Sequence, residues 1–321
     1  MKNSVHNELI LALKSQISQD ANPAEVLMKL LSISKEGAYR RLRGEIQLSL
    51  DEAVILAKQL DISLDNLIEI KWDDKYAFHI TPFSINPGLK EYRQTLMEIM
   101  DSYTHLIKDP NCYAYIISKL LSPILYFKYP DFSRFAIYRW IYLQQYSTKY
   151  APLSGITVPD EIKEIHQSLP KIATQIPTTY ILNDYIFTSL AKDLTYLLKI
   201  KLLTKNEVEV LKEQIIMVIN DLEEIAVRGS YKDGAKVTIY IADTYFDISY
   251  HYVNGNGFEA CSLEVYGLNF LSCLNPEISH NQKIWIESQI KYSTSITRCG
   301  EAQRMNFFNK QRKIINEIRA Q

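Results

Sequence analysis

Cysteine is scarce. The chain holds four, Cys112, Cys261, Cys273 and Cys299, far apart, with no C-x-x-C pair and no histidine at ligand spacing. That pattern excludes a disulfide scaffold and a zinc ribbon, and fits free thiols in a reducing compartment. Histidines 6, 79, 105, 166, 251 and 280 are scattered, so neither a metal site nor another cofactor is expected. Long apolar runs are also missing. The most apolar stretch, Tyr113 to Phe127, is interrupted by Ser118, Lys119, Ser122 and Pro123 and is too short to span a membrane. The opening Met-Lys-Asn-Ser-Val-His-Asn-Glu carries no secretory pattern. A cytoplasmic protein with no membrane association is expected.

Catalytic signatures are missing too. There is no G-x-x-x-x-G-K-[ST], no G-x-G-x-x-G after a strand, no G-x-S-x-G and no H-E-x-x-H. No enzyme activity and no catalytic residue are expected. The net charge is −1, so no bulk field of either sign steers a partner. Its distribution is uneven. Lys29 to Gly44 carries five basic residues and one acid, and acids follow at Glu45, Asp51, Glu52, Asp61, Asp65 and Glu69. A local basic face on a near-neutral chain fits contact with nucleic acid through one surface. With 321 residues, 47% of them hydrophobic, the chain can bury a full core and should hold two domains or more.

Residues 22–69 are dense in helix starts and stops. Asn22, Pro23 and Glu25 form a capping-box pattern ahead of Leu27, Met28 and Leu31. Ser34 can cap the next helix, Lys35 to Arg43, which stops at Gly44. Ser49 with Glu52 opens a helix through Ala53, Leu56, Ala57 and Leu60. Ser63 caps a last short helix carrying Leu64, Leu67 and Ile68. Ahead of these, Glu8 to Ile17 is an amphipathic run. Two short helices joined by about three residues, the second basic, are the mark of a helix-turn-helix.

This order of parts resembles the lambda-repressor-like (Cro/repressor-type) DNA-binding domain. The resemblance is carried by Leu27, Leu31 and Ile33, by Tyr39-Arg-Arg-Leu-Arg-Gly-Glu45, and by Leu56-Ala-Lys-Gln-Leu-Asp-Ile-Ser-Leu-Asp65. It covers about residues 4–70 and implies a five-helix fold that binds double-stranded DNA. The family usually has a small residue where Met28 stands, a glycine at Ser32, a glutamine at Ala24 and an apolar residue at Arg41.

Helix geometry then sorts the candidate DNA-binding residues. Ala38 and Leu42, four apart, share a face and should point into the core. Glu36 and Arg40 project oppositely, and Lys35 stands at the end that enters the major groove in such folds. Lys35, Glu36 and Arg40 are the candidates for base edges. Ser34 and Arg43 are candidates for phosphate, and Gly37 for close approach of the helix. Tyr39 and Arg41, on the flanks, can do either or pack.

The rest reads as linker and body. Residues 71–88 carry prolines and no helical period, and read as a linker. The expected class is mainly α, with a domain at 1–70 and a body at 89–321. Helices are expected over 89–107, 113–127, 132–146, 159–173, 180–200 and 204–228. After Gly234 the period becomes two, and Lys236 to about Leu271, with the turn Asn254-Gly-Asn-Gly257, reads as a three-stranded antiparallel meander. Helices from Pro276 to Tyr292 and from Gly300 to Ile318 follow. Tyr245, Tyr250, His251 and Tyr252 are candidates for a ligand-facing or dimer-facing surface.

The function that follows is a sequence-specific transcriptional regulator. One helix-turn-helix buries little surface, so a homodimer through the body is expected. An effector of unknown identity, a small molecule or a peptide, is a candidate partner of the body. The alternative is an interaction module that docks a protein through the same fold.

Overall fold

The computed structural model describes residues 5–17, 21–60, 62, 64, 78–80, 88–144, 151–232, 234–265 and 267–318. Its contacts divide the chain into two compact units, Met1–Ala77 and Phe78–Gln321.

The first unit holds α1 (Val5–Gln16), α2 (Pro23–Leu31), α3 (Lys35–Leu42) and α4 (Leu50–Leu60). Each boundary has a local cause. The Asn22 side chain accepts from the Ala24 amide at 2.9 Å, with Pro23 in the first turn. The Ser34 hydroxyl accepts from the Gly37 amide at 3.2 Å. Ser49 and Glu52 close a full capping box, with reciprocal bonds of 3.0 and 3.2 Å. α3 ends in a Schellman motif. Gly44, at φ +76°, donates to Arg41 O at 3.0 Å and Glu45 donates to Arg40 O at 2.9 Å. Ser32, at φ +53°, makes the left-handed turn after α2 without a glycine. Leu9, Leu13, Ala24, Leu27, Ala38 and Leu56 form the core, and Met28, Leu31 and Leu42 pack around it. The expected fifth helix lies outside the described residues except for Leu64, which joins this core.

The second unit is built on an eight-stranded mixed sheet. Its strands are β1 (His79–Ile80), β2 (Tyr113–Ser118), β3 (Thr178–Asn183), β4 (Val237–Ala242), β5 (Tyr250–Gly255), β6 (Phe258–Val265), β7 (Asn269–Cys273) and β8 (Ser293–Ser295), in the order β1-β7-β6-β5-β2-β3-β4-β8. β2, β3 and β4 are parallel, and every other pairing is antiparallel. Helices supply the crossovers: α5 (Leu89–Leu106) leads into β2, α6 (Pro130–Gln144) and α7 (Asp160–Ala173) join β2 to β3, and α8 (Thr188–Lys199) and α9 (Lys205–Arg228) join β3 to β4. α10 (Pro276–Ile290) and α11 (Glu301–Asn316) complete the unit.

Strand alternation divides the core in two. Ile116, Tyr180, Leu182, Val237 and Ile239 face the large core with α5 to α9 and α11. Ile117, Ile181, Ala242 and Tyr252 face the opposite side, where Ile286 of α10 covers them. The β5–β6 turn at Asn256 and Gly257, with φ of +51° and +79°, is a type I′ turn. Asp109 pins it by accepting from the Asn256 amide at 2.8 Å.

The class is therefore mixed α/β, not mainly α, with eleven helices among the described residues. The meander exists, but its strands are β5, β6 and β7 of the larger sheet, and residues 237–242 are β4 instead, parallel to β3 and paired on its other side with the edge strand β8. The helix expected over 113–127 is β2 followed by a 3₁₀ turn at Pro123–Leu125. The helix expected over 180–200 is β3, a turn, and α8. Both errors have one cause: a strand covered on both faces shows a continuous apolar run, not alternation, and reads like a buried helix. Of the expected linker, 71–77 and 81–87 lie outside the described residues. His79 and Ile80 pair with Ser272 and Leu271 at the sheet edge. No helix among the described residues is long and apolar enough to cross a membrane.

Candidate functional site

α3 places its residues on two sides. Ala38 is fully buried and Leu42 half-buried, toward the core. Ser34, Lys35, Glu36, Tyr39, Arg40 and Arg43 are exposed. Gly37 is half-buried, and a Cβ there would stand 3.3 Å from the Ser34 hydroxyl that caps the helix.

The three arginines differ. Arg41 makes a two-pronged pair with Glu52 of α4, Nη2–Oε1 at 2.6 Å and Nε–Oε2 at 3.1 Å, and also donates to Gly37 O at 3.3 Å. The pair is largely buried, with 16% and 19% of the two side chains exposed. Hydrogen bonding from Arg41 holds the Glu52 carboxyl below the usual range against the opposing effect of burial. Arg40 and Arg43 remain on the surface and share one acid. Arg43 donates to Glu45 at 2.6 and 3.2 Å, and Arg40 Nε lies 3.5 Å from the same carboxylate. Glu45 is accordingly held low, chiefly by the Arg43 hydrogen bond.

His6 fixes the helix from behind. The Leu48 amide can only donate, so Nδ1 accepts from it at 3.1 Å and the proton sits on Nε2, which donates to Arg41 O at 3.0 Å. One ring thus ties α1 to the end of α3 and to the loop before α4. Neither the role of His6 nor the partner of Arg41 was readable from spacing, since both contacts are long-range. The one available signal for Arg41 was a charge at a position that is usually apolar in the lambda-repressor-like domains the sequence resembles.

In the second unit the meander tyrosines separate. Tyr252 is fully buried, Tyr250 packs its ring 4.6 Å from that of Trp285, and Tyr245 is exposed. His251 points to the opposite face, 3.9 Å from Glu264. On that face lies a cavity of about 330 Å³. The segments following β2 and β3 line it, through Leu121, Pro123 and Tyr126 and through Ile186, Ser189 and Leu190, together with Phe132, Phe135, Ala136 and Trp140 of α6 and Gly267 and Leu268. Its polar groups are Tyr126, Arg139, Ser189 and Glu264, with the Tyr92 hydroxyl, which is bonded to His166, and the Trp140 indole N–H, a buried donor with no partner among the described residues. Arg139 is already engaged, with Nε 2.5 Å from Asp193. Burial pushes the Tyr126 hydroxyl far up, with Glu264 adding to the shift and Arg139 opposing it. Among the described residues no cluster of three or more His, Cys, Asp or Glu groups is arranged to hold a metal ion.

Comparison of the chain with protein-family models, with characterised proteins and with solved structures returns no match.

Proposed function

We propose that the protein is a sequence-specific DNA-binding transcriptional regulator whose first unit is a lambda-repressor-like helix-turn-helix and whose second unit dimerises and senses an effector. The observation that carries this reading is the two-sided helix α3. It is capped at both ends, anchored through Ala38 and Arg41, and presents Lys35, Glu36, Arg40 and Arg43 outward. A basic helix held this rigidly offers base-reading side chains at its N-terminal end and a phosphate contact at its C-terminal end. Ser32 supports the family likeness, because it adopts the left-handed turn that the family assigns to glycine. Arg41 leaves the set of DNA contacts in this reading and becomes the brace of the helix.

Selection of bound sites from random duplex DNA, followed by titration across salt concentrations, tests it. The expected outcome is an enriched two-half-site sequence and a logarithmic affinity that falls linearly with log salt. Light scattering of the bound species should give two chains per site.

The protein-docking alternative draws on the Glu45 latch over Arg40 and Arg43 and on the exposed Leu50 and Ile55 of α4. No enriched sequence and no steep salt dependence would favour it.

A further inference from the structure

The second unit contains a site that the DNA reading leaves unused. In α/β proteins, ligand pockets are often found at the carboxyl ends of parallel strands. The cavity lies there: the chain leaving β2 and the chain leaving β3 both line it. Its size and mostly apolar walls suit a small molecule.

The polar groups narrow the class. Arg139 is neutralised by Asp193, so it offers no net positive charge. The Glu264 side chain is only 13% exposed, and the nearest ion-pairing group among the described residues, the His251 ring, lies with Nε2 3.9 Å away, beyond hydrogen-bonding distance. A carboxylate this enclosed is unfavourable without a close donor. Tyr92, Tyr126 and Trp140 line the same space, and aromatic rings attract cations through their faces. We infer that this cavity binds a small protonated amine with an apolar or aromatic body, its ammonium group meeting Glu264 and its body lying among the rings of α6 and Tyr126. Such a ligand would supply the donors that Glu264 lacks among the described residues. A carboxylate ligand would face Glu264 with no free cation among the described residues that line the cavity, and a neutral one would bring no charge to offset it.

The test uses the full chain and titration calorimetry with three matched probes: 2-phenylethylamine, 2-phenylethanol and phenylacetate. The amine should bind at least tenfold more tightly than the alcohol, and the acid more weakly still. Glu264→Gln should remove that preference while leaving alcohol binding within about twofold. Ala136→Trp, which fills the cavity and keeps the Glu264 carboxylate, should abolish binding of the amine. Equal affinity for amine and alcohol, an amine preference that survives Glu264→Gln, amine binding that survives Ala136→Trp, or no binding of the amine at all would overturn the inference. No arm requires DNA, so its failure is separate from failure of the regulator reading.

Discussion

Arg41 of α3 and Glu52 of α4 meet through two parallel hydrogen bonds, and the same carboxylate closes the capping box at the start of α4. One acid therefore sets both where α4 begins and how α3 lies against it. Arg41→Ala leaves a largely buried carboxylate without its cation and should lower the stability of the first unit by about 1–3 kcal/mol. Chemical denaturation followed by helical circular dichroism checks this. Because the folded Glu52 carboxyl is held low, the pair's contribution is present above the unfolded carboxylate range. It is lost as pH falls through the folded value, and Arg41→Ala should remove that part of the acid sensitivity.

The two surface arginines should separate in binding experiments. Arg40→Ala is expected to cost roughly 1–3 kcal/mol on the preferred site and to relax base choice, whereas Arg43→Ala should weaken all sequences alike and flatten the salt slope by about one. Glu45→Gln is the informative complement. It releases both cations from their shared acid, so affinity should rise severalfold and the salt slope steepen. Unchanged affinity in all three variants, with the unit still folded, would remove α3 as the reading helix.

Two left-handed positions in the first unit should respond with opposite signs. Ser32→Gly relieves a side chain at φ +53° and should stabilise by about 0.5–1 kcal/mol. Gly44→Ala places a Cβ at φ +76°. Its nearest neighbours are ordinary contacts at 3.8 and 4.0 Å, so backbone strain alone remains, a loss of about 1–2 kcal/mol. Melting curves of the two variants give both signs directly.

His166 should make the second unit acid-sensitive. Its ring is buried, stacked on Phe127 at 4.2 Å and 3.1 Å from the Tyr92 hydroxyl. Burial lowers its pKa from 6.5 to about 4. The unfolded chain therefore takes up the proton first, so stability is full above 6.5 and falls as pH drops toward about 4. The loss reaches roughly 3 kcal/mol. Urea midpoints measured across that window should show the slope, and His166→Phe should remove it.

Local chemistry was readable wherever it was confined to a few neighbouring residues. Asn22, Ser34, Gly44 and the Ser49–Glu52 box mark real helix ends, as do Thr204 with Glu207 and Gly229 around α9. The turn at Asn256 and Gly257 is where its residue types place it. Tyr113 to Ser118 and Thr178 to Asn183 were not readable, because helices cover both faces and erase the alternation that marks a strand. The cavity was not readable either. Tyr92, Tyr126, Trp140 and Glu264 come together only through the sheet order, which no local period encodes.

That sheet order also dictates when the second unit can finish folding. β2 sits in the middle of the sheet, yet one neighbour, β3, follows only after two helices, and the other, β5, follows β4. During synthesis Tyr113 to Ile117 wait for Asn254 to Tyr250 to emerge. Until then β2 has one unpaired edge, and its Ile117 face lacks the cover that α10 brings later still. Contacts of such long sequence range fold slowly, and an apolar strand with an open edge invites pairing with other chains. Ribosome-bound chains ending before Gly255 should therefore be protease-sensitive and prone to self-association, while chains that extend past α10 should not.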